Sequence, residues 1–358
     1  MNESRLVNTF LDLVKIDSPT GHEAQVAEML MRRLRDLGLR VRQDGAGNVI
    51  ATLDGNGEPV LLSAHMDTVE PGRGIQPHVE DGVIRSDGTT VLGGDDKSGI
   101  AVILEVLQRL KESGEQHVPL EIVLTVSEEA GLVGAKNLDA SSLHSKKGLV
   151  LDAGGPIGTI VRQAPVQDSI YIVVHGKASH AGAEPEKGIN AIVVASEAIA
   201  NMPLGRIEEE TTANIGKIAG GLATNIVPDR VEMWGEARSL NSAKLAAQTE
   251  RMTQAVESAA ARHKARAELK VTRAYETYRL ADSHPWIQHL VATCEAMGLD
   301  PVLQSSGGGS DANIFNAKGI QAVPVSTGMA KVHTTEEYIA IADMTAAAEF
   351  VHRAISKA

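Results

Sequence analysis

Apolar residues near the start of the chain recur at helical intervals. Leu6, Phe10, Leu13 and Val14 share one face, and Ser18-Pro19-Thr20-Gly21 interrupts the pattern. Thr20, with Glu23 three positions on, predicts a capping box for a second helix whose apolar face is Val26, Met29, Leu30, Leu34 and Leu37 and whose stop is Gly38. β-rich runs then alternate with helical ones: Val49–Leu53, Val60–Ala64, the helix Ile100–Leu110, Ile122–Val126 and Leu149–Leu151. This alternation predicts an α/β sheet, largely parallel and covered on both faces.

Around Pro165 the texture changes. Strands are predicted at Ser169–Val174, Asn214–Ile218, Val231–Ala237 and Leu269–Ala274, with helices at Ile189–Ala200 and Leu245–His263. The order β-α-β-β-α-β is that of a ferredoxin-like α+β unit. A helix at Trp286–Met297, a strand at Val323–Ser326 and a closing helix at Met344–Ile355 resume the first texture. The expected organisation is one discontinuous α/β domain, residues 1–165 and 279–358, interrupted by an α+β domain over 166–278.

Composition narrows the chemistry. The chain has 358 residues and a net charge of −12, which argues against a broad basic footprint for nucleic acid or an anionic membrane. Its one cysteine, Cys294, excludes an internal disulfide framework and any multi-thiolate metal site. The first fifteen residues carry Glu3, Arg5, Asp12 and Lys15, unlike a secretory signal, and no apolar run approaches the ~18 residues of a bilayer span. A soluble cytoplasmic protein is the expectation.

Several acids and histidines directly follow predicted strands, where open α/β sheets place ligand sites. Val60–Ala64 runs into His65-Met66-Asp67, and Asp67, two positions on, is placed to orient the His65 imidazole. Asp95 and Asp96 precede the Ile100–Leu110 helix in a glycine-rich turn that lacks the phosphate-loop spacing. Ile122–Val126 leads to Glu128-Glu129, Leu149–Leu151 delivers Asp152, and His333 opens a late loop. Taken singly, each also fits a strand end, a helix first turn or a surface loop. Together His65, Asp95, Glu129, Asp152 and His333 form a nitrogen and oxygen donor set suited to two divalent ions, Zn2+ first, with Co2+ or Mn2+ as alternatives. Two such ions, three carboxylates and a bridging hydroxide would sum close to neutral. The helical His-Glu-x-x-His signature is absent, since His22-Glu23 is followed by Ala-Gln-Val.

Ser63-Ala-His-Met-Asp-Thr68, Gly94-Asp-Asp-Lys-Ser-Gly99, Ser127-Glu-Glu-Ala-Gly131, Leu151-Asp-Ala-Gly-Gly155, Gly176-Lys-Ala-Ser-His-Ala-Gly182 and Ser306-Gly-Gly-Gly-Ser-Asp311 span nearly the whole chain. In these motifs the sequence resembles the dinuclear-zinc metallopeptidases of the aminoacylase and carboxypeptidase group, most closely their peptidase T-like (tripeptide aminopeptidase-like) branch. The resemblance implies a mainly parallel α/β catalytic domain with an inserted ferredoxin-like lid that mediates homodimerisation. It implies that His65, Asp95 and Asp152 hold one metal and Glu129 and His333 the second, with Asp95 bridging. Asp67 would orient a ligand and Glu128 would be the general base for metal-activated water. His180 would meet the substrate carbonyl oxygen, often across the dimer, Arg238 would bind a substrate carboxylate, and Asn225 and Gly309 would line the cleft. Asp at position 152 fits the aminopeptidase branches, whereas Arg238 would serve any substrate with a free carboxylate. The expected activity is therefore hydrolysis of amide bonds in small peptides. Alternatives are an N-acyl or carbamoyl amino acid amidohydrolase or a carboxypeptidase of the same fold and, more remotely, a non-catalytic binding protein.

Overall fold

Residues with unbroken apolar runs form the middle of the main sheet. In the computed structural model, which describes residues 1–356, every position of Val60–His65 and of Leu120–Thr125 is buried. Strands that read as continuous apolar stretches belong in a parallel sheet covered on both faces. The four central strands, in spatial order Leu120–Thr125, Val60–His65, Lys147–Ala153 and Gln321–Ser326, are all parallel. Antiparallel strands Val49–Leu53 and Arg40–Gln43 extend one side, and Thr159–Ala164 and Tyr278–Arg279 the other, with Val302–Ser305 also paired to Thr159–Ala164. The helices Glu3–Val14, Gly94–Ser113 and Ile341–Ile355 pack on one another, burying Phe10, Val106 and Phe350 among others.

Register sets the site. His65 lies opposite Thr125, and Ser63 lies opposite Val150, so Asp152 comes level with His65 at the carboxyl edge of the sheet. A separate four-stranded sheet of His78–Glu80, Val83–Arg85, Met329–Ala330 and Tyr338–Ala340 carries the His333 loop between its last two strands. The sequence pattern did not mark these short strands, whose residues are mostly exposed or half-buried.

The chain divides into two compact units: Met1–Gln163 with Arg279–Ser305 and the residues from Ser310 onward, and Ala164–Tyr278 with Ser306–Gly309. The second unit has an antiparallel sheet in the order Gly205–Glu208, Thr211–Gly220, Arg230–Ser239, Val166–His175, Arg266–Tyr275. Without its short edge strand Gly205–Glu208, this is the ferredoxin-like order. Helices Ala191–Asn201 and Ser242–Arg262 cover one face, over a core that includes Ile170, Ile172, Met233, Ala237 and Val256. Gly309, in this unit, leaves no room for a side chain: a Cβ there would come 2.3 Å from the Tyr275 ring.

Candidate metal centre

The carboxyl edge of the parallel sheet brings the expected donors of the first unit together. His65 Nδ1 donates to the Asp67 backbone carbonyl at 2.9 Å, so in the neutral ring Nε2 carries the lone pair, and it faces Asp95 Oδ1 at 2.9 Å. Asp95 Oδ2 lies 3.2 Å from His333 Nε2, which in turn lies 2.8 Å from Glu129 Oε1. Three triads, His65–Asp95–Asp152, Asp95–Glu129–His333 and His65–Glu128–Glu129, each place their ligand atoms within 4.8 Å of one another. Asp95 belongs to two of them. His333 sits at φ 62° and Ser127, just before the acid pair, at φ 51°, backbone conformations that cost an L-residue about 1–2 kcal/mol. Such strain persists where surrounding structure holds it, and here it falls in and beside the donor set.

Charge balance fits a cation. Burial, then Asp95, push the Asp152 carboxyl well above the ordinary carboxylate range. Burial pushes Glu128 the same way, opposed by His65 and helped by Asp152, Asp311 and Glu129. The cluster is short of positive charge. Hydrogen bonds to Asp95 and then Glu129 raise His333 to about 10. Lone pairs that converge this closely need either a proton or a metal ion between them, and thiolate-free nitrogen and oxygen donors suit a divalent ion.

The Asp67 carboxylate meets other groups more closely than the His65 ring it was expected to orient. Its carboxylate Oδ1 lies 3.4 Å from His65 Nδ1, so the backbone carbonyl makes the shorter contact to the ring. The carboxylate instead accepts from Glu128 N–H at 2.9 Å, from Glu129 N–H at 3.3 Å and from Thr20 Oγ1 at 2.7 Å. One buried acid thus fixes both members of the Glu128-Glu129 pair. The expected capping box does not form, because both of its residues are drawn into this network. Thr20 is spent on Asp67, and the Glu23 carboxylate accepts from Gly21 N–H and from Ser127 N–H and Oγ. The helix Ala24–Asp36 begins without a side-chain cap.

Three further acids support the cluster, and of these the sequence pattern did not single out Glu337 and assigned no role to Asp96 or Asp311. Glu337, buried, accepts from Leu92 N–H at 2.7 Å, Gly93 N–H at 2.8 Å and Asp95 N–H at 2.9 Å, clamping the turn that presents Asp95. Asp96 turns away from the donors: its carboxylate accepts from His65 N–H and Gly99 N–H. Asp311 accepts from Thr125 Oγ1 at 2.5 Å, and burial pushes it up to about 6. The only signal for these residues was an acid next to a glycine-rich or acid-rich motif.

The four substrate-binding candidates lie in the second unit. His180 is exposed, and its Nδ1 accepts from Gly182 and Ala183 N–H, both at 3.1 Å, so a neutral ring carries its proton on Nε2. Asn225 is held alongside, its carbonyl accepting from Ala181 N–H at 2.9 Å. Arg238 is half-buried and paired with Glu236, and Gly309 packs against Tyr275. Among the described residues, no helix is long and apolar enough to cross a membrane.

Residues 61–357 match the model of "Peptidase family M20/M25/M40". The chain is 44% identical to protein YqjE of Bacillus subtilis (strain 168), covering 100% of this chain and 99% of that one. Its fold superposes on the aminopeptidase PepT of Bacillus cereus ATCC 10987 with a TM-score of 0.89 at 43% identity, and on a tripeptidase of Staphylococcus aureus subsp. aureus Mu50 with a TM-score of 0.94 at 40% identity. Each structural match covers 99% of this chain and 98% of the other.

Proposed function

The chain belongs to peptidase family M20/M25/M40, and from that membership we propose a metal-dependent aminopeptidase that hydrolyses small peptides, tripeptides among them. The observation that carries this reading is the meeting of His65, Asp95, Glu129, Asp152 and His333 at one sheet edge, beside a Glu128 held by Asp67. His65, Asp95 and Asp152 would hold one divalent ion, and Glu129 and His333 a second, with Asp95 shared; zinc is the first choice for this donor set. Ions bound there supply polarisation of the scissile carbonyl and acidification of water.

The chain's own residues do the rest. Glu128 is the general base, taking a proton from the attacking water at its carboxylate and handing it to the leaving amine. Asp67 holds it in place through the Glu128 N–H. His180, with its proton on Nε2, donates to the carbonyl oxygen as negative charge develops. Arg238 binds the substrate carboxylate, and Asn225 and Gly309 line the cleft. The second unit serves as a lid through which two copies pair, a role supported by its exposed Ile192, Val193, Leu222 and Ile226.

Metal analysis with a substrate panel tests the reading. We expect two divalent ions per chain in wild type and in Glu128→Gln, with tripeptide hydrolysis in wild type and a loss of roughly 10³-fold in the variant. Turnover of an N-acetyl amino acid but of no tripeptide would move the assignment to an amidohydrolase. Full activity without metal would overturn the site itself.

A further inference from the structure

The lid sheet has one face covered by the two helices of its unit and another that neither of them covers. Along strand Arg230–Ser239, Val231, Met233 and Ala237 enter the core under the helices, so Trp234, Glu236 and Arg238 stand on the opposite face. Register places Gln167 beside Arg238, Ser169 beside Glu236 and Tyr171 beside Trp234 on that face.

Within it, Glu236 grips Arg238 along the side of the guanidinium. Arg238 Nε donates to Glu236 Oε1 and Nη2 to Glu236 Oε2, both at 2.9 Å, and Gln167 Nε2 donates to Glu236 Oε2 at 3.1 Å. A guanidinium has five N–H groups, and this pairing takes two. Both Nη1 hydrogens and the second Nη2 hydrogen remain, and the outer Nη1/Nη2 edge is the fork that matches a carboxylate bidentately. Nη1 lies 3.7 Å from the position a Cβ would take on Gly308, within a run of three glycines that offers no side chain to cover the edge.

We propose that Glu236 is a positioning residue for substrate selection: by holding the side of the Arg238 guanidinium it presents the outer fork to the free carboxylate of a peptide. This rests on the reading of Arg238 as the carboxylate binder. Two consequences of the pairing oppose each other. Glu236 offsets the arginine's charge, which weakens attraction for an anion, and it removes the rotational freedom of a long side chain, which strengthens a directional contact. Both side chains are about one-third exposed, at 29% and 35%, where solvent and salt screen the charge effect. Orientation therefore decides the sign.

Steady-state kinetics on a tripeptide and its C-terminal amide tests this, with Glu236→Ala, Glu236→Gln and Arg238→Ala beside wild type. Glu236→Ala is expected to raise KM for the acid about tenfold, a loss of roughly 1.4 kcal/mol, leaving kcat within twofold and the amide unaffected. Glu236→Gln, which keeps an acceptor but not the charge, should fall between wild type and alanine. A lower KM in both Glu236 variants would show that charge masking dominates and overturn the proposal. Equal losses on acid and amide would make Glu236 merely structural and overturn it too. Arg238→Ala separates the premise: if it leaves the acid-to-amide preference at the wild-type value, the carboxylate-binding assignment of Arg238 itself falls, whatever the Glu236 variants do.

Discussion

The two units hold their candidate functional side chains in opposite ways. In the first, support comes from far along the chain: Thr20 reaches Asp67 across 47 positions, Asp67 reaches Glu128 across 61, and Glu337 reaches Asp95 across 242. In the second it is local, with His180 held by N–H groups two and three residues on and Arg238 by an acid two residues away. Metal ligands must be fixed to within a fraction of an ångström, which long-range hydrogen bonds at least partly shielded from solvent accomplish. A group that meets the substrate needs the right tautomer and a free edge, which a turn or a neighbouring side chain can supply. Damage in the first unit should therefore cost stability and metal affinity together, whereas damage in the second should cost turnover or substrate affinity alone.

The largest expected effect that would test this contrast is on turnover. His180→Ala should lower kcat by roughly 10²–10³-fold, with thermal midpoint and metal content unchanged, because the ring is exposed and its partners are backbone groups of its own turn. A matching fall in thermal midpoint would break the contrast. Next comes Glu337→Gln, whose neutral side chain has one strong acceptor oxygen for three N–H groups. It should weaken metal affinity about 10–100-fold and lower stability by about 1–3 kcal/mol, measured by metal titration and denaturant unfolding. Thr20→Val should have the smallest effect. Losing one hydrogen bond to Asp67 should cost about 1 kcal/mol of stability and only a few-fold in kcat, and a loss as large as that of Glu337→Gln would mean that Thr20 is more than a support.

Much of the architecture is legible in the sequence, because burial leaves a mark on composition. Apolar runs such as Val60–Ala64 and Ile122–Val126 are interior strands, and a charged residue directly after one has to sit at the sheet edge. The lid's strand and helix order was equally visible, since its alternation is that of a half-exposed sheet. The supporting residues were not. Thr20 and Glu23 fit a helix cap so well that local pattern pointed to the wrong partners, and Glu337 stood as one more acid beside Glu336.

What the sequence by itself determined was the kind of chemistry available: a thiolate-free set of histidines and carboxylates, distributed at the ends of strands in an α/β chain with an inserted α+β unit. Which groups each acid meets was decided only by tertiary structure. Asp95 and Asp96 are chemically identical neighbours, yet one carboxylate meets His65 and His333 while the other is consumed by the N–H groups of His65 and Gly99. The reason is physical. A buried carboxylate must be paired, and its role follows from whichever hydrogen or lone pair the fold places against it, which residue type and spacing alone do not specify.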